Sequence, residues 1–291
     1  MKALFLSGDK RQLEVIKNLN KKNIEIDLIG FETIDIDIGK KRKLAELNIS
    51  DYDLIFFPIN GISNQFTIQN VAQTEEISLP INLLIGSKET AKIFSGIRTP
   101  SLTNLLEHAK RKAVFLMEDK EVQQQNAIPT VEGIVGDLVS NIDTTIDGSN
   151  IFLIGYGNVG KVLAKYLKNM NSNLFVGIIN QMDESSLKNN NLPYIYTNNQ
   201  EHMLQILNWC DVIINTVPKQ ILTRDYLSHV RKESYLLDIA SAPYGIDFKS
   251  AENFGLKSKI LSGIPGKTAP ITAGNILVKK INLLLKEKEN D

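Results

Sequence analysis

Short apolar segments alternate with helical segments along the first half of the chain. The opening run, KALFLSG (2–8), is apolar and ends in glycine, and apolar residues of the next segment, 9–22, recur at helical spacing. Further strands are predicted at 24–31, 53–59, 92–97 and 113–119. A helix is predicted over 100–112, with Thr99 as its N-cap and Pro100 at its first position. This alternation indicates a parallel sheet covered by helices.

The second half repeats the alternation of strands and helices after a longer helical segment. From Pro129 to Ile142 apolar residues recur at helical spacing, and the polar stretch 143–150 ends that pattern. Strands are then predicted at 151–155, 173–178, 211–217, 234–240 and 258–264, and a last helix at 272–290. The predicted fold class is α/β, with two Rossmann-like domains that contain parallel sheets and are joined by interdomain helices.

A glycine-rich turn lies between the strand at 151–155 and a helical segment. Gly155, Gly157 and Gly160 fit the pattern G-x-G-x-x-G in the strand–turn–helix context that it requires. The first glycine permits the tight turn, the second lets the backbone approach a pyrophosphate, and the third lets helix and strand pack closely. The amide groups of Asn158 and Val159 at the helix start complete the expected anion site. The alternative is a tight turn that has lost its ligand.

These patterns divide the chain. We expect an N-terminal substrate or partner domain at 1–127, an interdomain helix at 128–143, a nucleotide-binding domain at 144–268, and a C-terminal helix at 269–291 that packs back toward the N-terminal domain.

The choice between NAD and NADP depends on the end of the second strand of this domain. A carboxylate there would bind the ribose 2′-hydroxyl, but the segment 176–182 contains none, and Asn180 occupies the expected position. The missing carboxylate removes the repulsion of a 2′-phosphate and favours NADP. No Arg or Lys is present in that segment, so NAD stays open.

Composition narrows the class of protein. The 291 residues include 33 basic and 33 acidic side chains, and this balance argues against nucleic acid or an anionic membrane as the main partner. The basic run KKRK (40–43) is expected to be a solvated loop. No apolar stretch reaches the roughly 18 residues of a membrane span. The single cysteine, Cys210, forms no internal disulfide, which suits a cytoplasmic protein. No His, Cys or Asp grouping has metal-ligand spacing, so no metal is expected.

Several segments resemble a known family in their order and spacing. They are LSGDKRQLEVIKNL, FSGI, NAIPTVEG, GYGNVG, INTVP, LDIAS and GIPGKTAPITAG, and together they span nearly the whole chain. The family is that of the dipicolinate synthase A-subunits, the dehydrogenase-like component of the bacterial enzyme. The most specific segments are Gly8–Gln12, Asn126–Gly133 and Pro265–Gly274, because the second half alone would match many two-domain dehydrogenases.

The resemblance implies a protein that works with a flavoprotein-like B-subunit of dipicolinate synthase in spore-forming bacteria. Together they would oxidise a dihydrodipicolinate-type product of the lysine pathway to dipicolinate, with NADP as the acceptor. The sequence departs from the family in one respect: Ile179, Asn180 and Gln181 stand where a basic residue is expected after the second strand. Whether the chain forms a homo-oligomer is left open.

Candidate residues for this chemistry lie at predicted strand ends and helix starts. Arg11, in the first turn of the first helix, suits a substrate carboxylate because a guanidinium bonds it in a bidentate manner. Ser95 and Gly96, at the end of a strand, offer a hydroxyl and a backbone amide to the substrate. Thr130 and Glu132 are placed in the first turn of the interdomain helix, Thr130 toward the substrate and Glu132 as proton acceptor. Each also has a structural alternative, such as a capping salt bridge for Arg11 and a carboxylate favoured by the helix dipole for Glu132.

Three further residues follow the later strands of the nucleotide-binding domain. Thr216 and Val217 come after the fourth strand, where related folds pass the nicotinamide ribose, and Asp238 ends the next strand on the same edge. They are predicted to line the cofactor site. For Asp238 the alternative is a structural carboxylate that binds neighbouring backbone.

Two other functions stay open. One is a different two-domain NAD(P) oxidoreductase of 2-hydroxy or 2-amino acids. Such enzymes usually have a histidine placed as acid or base, but no suitable motif contains any of the three histidines here, His108, His202 and His229. The other is a non-catalytic nucleotide-binding protein that supports a partner enzyme.

Overall fold

The computed structural model describes residues 1–72 and 74–286, and the chain divides into two units. Residues 1–126 and those from Pro265 onward form the first unit, and Ala127–Ile264 form the second. The parallel sheets of both confirm the predicted α/β class.

The first unit is built on a six-stranded parallel sheet with an added antiparallel hairpin. The strands are β1 (Lys2–Leu6), β2 (Glu25–Ile29), β3 (Lys40–Lys41), β4 (Leu54–Phe56), β5 (Thr67–Gln69), β6 (Glu76–Ser78), β7 (Lys92–Ser95) and β8 (Ala113–Phe115). The sheet order is β3-β2-β1-β4-β7-β8, and β5 and β6 form the hairpin. The helices are α1 (Lys10–Lys21), α2 (Pro100–His108), the start of α3 (Lys120–Asn141), most of α9 (Ile264–Thr268), and α10 (Pro270–Lys286).

Apolar side chains from the first unit's sheet form a core on each face. Phe5, Phe56 and Phe94 lie on adjacent strands and stack, with ring centroids 4.4 and 4.9 Å apart. Helices α1 and α10 cover this face, and Leu277 and Ile281 of α10 join its core. Helix α2 contributes to the core of the other face.

The second unit has the same sheet topology. Its strands are β9 (Asn150–Ile154), β10 (Asn173–Ile178), β11 (Tyr194–Tyr196), β12 (Val212–Asn215), β13 (Tyr235–Asp238) and β14 (Lys257–Ile260), in the order β11-β10-β9-β12-β13-β14. Its helices are the remainder of α3, α4 (Asn158–Asn169), α5 (Glu184–Asn189), α6 (Gln200–Leu207), α7 (Arg224–Leu227) and α8 (Phe248–Asn253). In each unit the strand order reverses between the first and fourth strands of the sheet, which is where ligands of open α/β sheets bind.

Several elements differ from the sequence-based expectation. The helix expected to start at Pro129 starts at Lys120, and Pro129 lies buried inside α3. Its ring supplies no N–H to the carbonyl of Gln125, yet the helix continues on both sides. Residues 40 and 41 of the basic run form the exposed edge strand β3 instead of a loop; lysine at such an edge discourages pairing with another chain. The strand expected at 258–264 ends at Ile260.

The last helix begins at Pro270, two residues before the predicted start. It packs beside α1 in the first unit. Its predicted continuation over 287–290 lies outside the described residues. Within the described part of the chain, no helix combines the length and the apolar character needed to cross a membrane.

A buried carboxylate in the middle of β2 connects this strand to β1 and to the segment before β4. Asp27 of β2 accepts a hydrogen bond from the hydroxyl of Tyr52 (2.8 Å) and pairs with the ammonium group of Lys2 (3.0 Å). Burial acts to raise the pKa of Asp27, but the hydrogen bonds from Tyr52 and Lys2 and the charges of Lys2 and Arg42 outweigh it. The pKa of Asp27 therefore lies below its ordinary value.

We expect Asp27→Asn to lower the free energy of unfolding by about 1–3 kcal/mol at neutral pH, because it removes the charge that compensates Lys2. The stabilisation by Asp27 is complete above its unfolded pKa and is lost as the pH falls through its lower folded pKa. Urea unfolding of the wild type and the variant should therefore converge below about pH 4.

Asp35→Asn, at an exposed loop position, is the matched control and should have little effect at any pH. A wild-type advantage that stays constant from neutral to strongly acidic pH would contradict the role given to Asp27.

Candidate functional site

The turn after β9 has the geometry that its three glycines predict. Gly155 has a φ of +103°, and a Cβ built on it would overlap the hydroxyl of Thr216. A Cβ on Gly160 would overlap the carbonyl oxygen of Gly155, so α4 approaches the turn more closely than a side chain allows. Both positions therefore require glycine for steric reasons.

Gly157 differs from these two glycines because the space beside it is open. It is exposed, it is the N-cap residue of α4, and no heavy atom lies within 4 Å of a Cβ built on it. Gly157 itself has no side chain that could cap α4. The start of α4 is therefore suited to an anion that approaches the backbone, such as a pyrophosphate.

The predicted residues after β12 lie directly against this turn. The hydroxyl of Thr216 donates to the carbonyl oxygen of Ile154 (3.0 Å), and the amide of Val217 donates to the side chain of Asn215 (3.2 Å). Both residues are half-buried. The structure thus brings Thr216, Val217 and the glycine turn to one edge of the sheet; a contact of these residues with a cofactor stays a prediction.

Asp238 holds the neighbouring loop together. It is 0% exposed, and its two oxygens accept four hydrogen bonds, from the side chain of Asn215 and the amides of Ala240, Gly245 and Ile246 (2.7–3.0 Å). These bonds are those of the structural alternative, a carboxylate that binds neighbouring backbone; a contact of Asp238 with the cofactor stays a prediction. Sequence reasoning missed Asn215; a polar residue at the end of an otherwise apolar strand was the available signal.

The segment after β10 contains the predicted residue Asn180. Its side-chain oxygen accepts from the amide of Met182 (3.1 Å), so it caps the following turn of helix. The apolar side chains of Ile179 and Met182 on the same segment are exposed, 45% and 88% respectively. This segment is thus an unusually apolar stretch of surface at the carboxyl edge of the sheet.

A lysine that sequence reasoning did not consider reaches this segment from α4. Lys161 Nζ lies 3.3 Å from Asp183 Oδ1 and 5.5 Å from the ring centroid of Tyr156. Lys161 directly follows Gly160 and is distant in sequence from Asp183. The only sequence signal was its place in the first turns of the helix after the glycine motif.

In the first unit, Arg11 is buried in the first turn of α1. It is 4% exposed, and its Nε and Nη2 donate to the carboxylate of Asp9 at 2.9 and 2.5 Å. Nη2 also donates to the side chain of Asn60 (3.3 Å), while Nη1 has no hydrogen-bond partner among the described residues. Asp9 also caps α1, and Gly274 lets α10 approach the backbone of Arg11 closely. The pair that was the structural alternative for Arg11 is therefore present.

A pocket of about 270 Å³ lies at the switch point of the same sheet. Its walls come from the turn after β1 (Gly8 and Asp9), the loop after β4 (58–63) and the β5–β6 hairpin. Below the turn, the side-chain nitrogen of Gln12 donates to the carbonyl of Phe57 (3.0 Å), and its Oε1 is buried with no partner in the described structure. Two residues of the most specific N-terminal motif, Gly8 and Asp9, thus line this pocket.

Ser95 and Gly96 support the loop after β4. The hydroxyl of buried Ser95 is within hydrogen-bonding distance of the carbonyl oxygens of Pro58 (3.2 Å) and Ile97 (3.1 Å). A Cβ on Gly96 would overlap the backbone of Ile59. Both residues hold backbone segments together, and a contact of either with substrate stays a prediction.

Thr130 and Glu132 lie in the interior of α3, not in its first turn, because the helix already starts at Lys120. The helix-dipole explanation for Glu132 is therefore wrong. Glu132 is exposed and Thr130 is buried. Their proposed roles in proton transfer and substrate binding stay predictions.

Comparisons with known proteins agree with this architecture. A family model that describes the N-terminal domain of the dipicolinate synthase A-subunit matches residues 2–117. The dipicolinate synthase A-subunit of Bacillus subtilis (strain 168) is 33% identical over 290 residues, which cover 99% of this chain and 96% of that protein. The crystal structure of the A-subunit from Bacillus halodurans has a TM-score of 0.90 and 29% identity, and the match covers 98% of this chain and 97% of that one.

A more distant structure shows the fold alone. The transhydrogenase from Sinorhizobium meliloti matches with a TM-score of 0.68 and 11% identity, over 98% of this chain and 94% of that one. The fold and the glycine turn place the chain in the class of α/β proteins with two Rossmann-like units. Within that class, the chain belongs to the dipicolinate synthase A-subunit family, which confirms the resemblance seen in its sequence.

We expect Gly160→Ala to destabilise the second unit by about 1–3 kcal/mol, because the added methyl group must displace the Gly155 carbonyl in a closely packed turn. Gly157→Ala should be nearly neutral, since its space is open and its φ of −76° suits any residue. Thermal unfolding of the two variants measures the difference. Equal losses of thermal stability in the two variants would show that the close approach at Gly160 does not contribute to stability.

Proposed function

We propose that this chain is the NAD(P)-dependent oxidoreductase component of a dipicolinate synthase. It would oxidise a dihydrodipicolinate-type intermediate of the lysine pathway to dipicolinate in the cytoplasm of a sporulating cell, together with a flavoprotein-like B-subunit. The observation that carries the proposal is the glycine turn: a member of this family has open space beside Gly157, at the helix start that lies at the switch point of a Rossmann-like unit.

The residues present fit a nicotinamide dinucleotide, with NADP as the proposed form. The amides at the start of α4, from Gly157 to Gly160, would hold the pyrophosphate, and the open space at Gly157 is the cradle that a Cβ would fill. Thr216 and Val217 would lie along the nicotinamide ribose, and Asn180 would lie at the adenosine end. When bound, the nicotinamide accepts the hydride that leaves the substrate ring.

The substrate requires a cation and a proton acceptor. Arg11 would bind a carboxylate of the small dicarboxylate through Nη1, while Asp9 and Asn60 fix the guanidinium through its other nitrogens. Glu132 is proposed to take the ring proton, and Ser95, Gly96 and Thr130 to help orient the substrate. Aromatisation of the ring supplies the driving force, so the chain's main task is orientation.

The two alternatives give different outcomes in one experiment. Nicotinamide reduction is monitored after freshly made dihydrodipicolinate precursor is added, with each cofactor in turn and with or without the B-subunit. We expect reduction with this substrate. Reduction with 2-hydroxy or 2-amino acids instead would favour a different oxidoreductase. Enzymes of that kind show a placed histidine, whereas the three histidines of this chain are all exposed. Nucleotide binding without any turnover would favour a non-catalytic role in support of the partner.

Gly157→Val should abolish binding of the nucleotide and leave the fold intact, because the branched side chain fills the space at the start of α4. Calorimetric titration measures the affinity, and the melting temperature checks the fold. Unchanged affinity in the variant would remove the basis of the proposed function.

Arg11→Ala should reduce kcat/KM by about ten- to a hundredfold, which corresponds to one charge-assisted hydrogen bond. Nucleotide affinity should stay near wild type, because the glycine turn lies in the other unit. Arg11→Lys should recover only part of the activity, since an ammonium group lacks the planar fork that binds Asp9 while a further nitrogen, Nη1, faces the substrate.

Lys17→Ala, on the exposed side of the same helix, is the matched control and should leave kcat/KM unchanged. Full turnover of Arg11→Ala with the B-subunit present would assign Arg11 to structure alone.

A further inference from the structure

We propose that Lys161 is the cation that receives the 2′-phosphate of NADP, and that Asp183, its partner in an ion pair, does not bind the ribose. The inference rests on the proposed function and names the residues that select the cofactor.

The first argument is position. In a doubly wound sheet, the group at the end of the second strand meets the adenosine ribose: an acidic side chain binds the 2′-hydroxyl, and a nearby cation accommodates a 2′-phosphate. The corresponding strand here is β10, and Ile179 and Asn180, directly after its end, are uncharged. Asp183 and Lys161 are therefore the charged pair available at this place.

The second argument is exposure. The side chain of Lys161 is 49% exposed and that of Asp183 is 27% exposed, while their charged groups lie 3.3 Å apart. A ligand approaching from solvent therefore meets the ammonium group more readily than the carboxylate. The carboxylate is already compensated by Lys161, which weakens both its attraction for a ribose hydroxyl and its repulsion of a phosphate.

The third argument is the surface around the pair. Ile179 and Met182 expose apolar side chains, 45% and 88%, on the same segment, where a planar base would find an apolar platform. Asn180 uses its side-chain oxygen on the amide of Met182, and its Nδ2 has no hydrogen-bond partner among the described residues. Nδ2 can thus donate a hydrogen bond to a phosphate oxygen.

The opposite assignment gives Asp183 the ribose 2′-hydroxyl and makes NAD the preferred cofactor. In this assignment the Asp183 carboxylate must either break its ion pair with Lys161 or bind Lys161 and the ribose hydroxyl at once. The exposed ammonium group of Lys161 then lies beside the ribose without a negative charge of the ligand to pair with. The geometry favours the phosphate.

The test is calorimetric titration of the full chain with NADP⁺ and NAD⁺, and with 2′,5′-ADP and 5′-AMP as probes that differ in the 2′-phosphate. The wild type should bind NADP⁺ and 2′,5′-ADP more tightly than their counterparts. Lys161→Ala should weaken binding of the two ligands with a 2′-phosphate, NADP⁺ and 2′,5′-ADP, by about tenfold or more. It should leave the affinities for NAD⁺ and 5′-AMP nearly unchanged. Lys165→Ala, one turn further along α4 and exposed, is the matched control and should change neither.

Asp183→Asn separates the two assignments. It keeps the shape and removes the charge that competes with the phosphate, so affinity for NADP⁺ should rise or hold while affinity for NAD⁺ stays the same. Loss of NAD⁺ affinity in this variant, or tighter binding of NAD⁺ than NADP⁺ by the wild type, would overturn the proposal.

Two further outcomes are distinct from these. An equal loss of affinity for NADP⁺ and NAD⁺ in Lys161→Ala would indicate that Lys161 binds the pyrophosphate, and it would also overturn the proposal. Binding of no nucleotide by a correctly folded wild type would instead refute the proposed function. Melting temperatures of all variants distinguish altered binding from altered folding.

Discussion

Both units of this protein depend on one geometric constraint, the parallel sheet with helical crossovers. Such a sheet brings the carboxyl ends of all its strands to one edge, and the reversal of strand order between the first and fourth strands leaves a crevice there. In the second unit the glycine turn lies at that crevice, and in the first unit the Gly8–Asp9 turn lies beside the pocket. The two halves therefore use the same architecture to expose different chemistry.

Buried polar groups keep these edges in shape. In the second unit, Asp238 accepts hydrogen bonds from Asn215 and from three backbone amides, so the loops after two neighbouring strands are fixed to one another. In the first unit, Asp9 caps α1 and also fixes the guanidinium of Arg11. In both cases a carboxylate positions its neighbours. For Asp238, which is fully buried, these partners also offset the high cost of an unpaired buried charge.

Local patterns predicted most of the elements and some of their ends. The cap at Thr99 and the strands with long apolar runs were found because those signals lie within a few residues of one another. The edge strands β3 and β11 were missed because two or three residues are too short for a periodic pattern. The start of α3 was misplaced because Pro129 is a good first residue of a helix, and only the packing that buries it explains its place in the interior.

The sequence by itself determined the α/β alternation, the glycine turn and the family, because each depends on residue types at short spacing or in a fixed order along the chain. The tertiary structure decided which side chains meet. It brings Lys161 of α4 to Asp183, which follows the end of β10, and it buries Asp238 among hydrogen-bond donors from Asn215 and from the loop after β13. The reason is that a parallel sheet pairs strands through crossovers of many residues, so neighbours at its edge are distant in sequence and their contacts leave no local pattern.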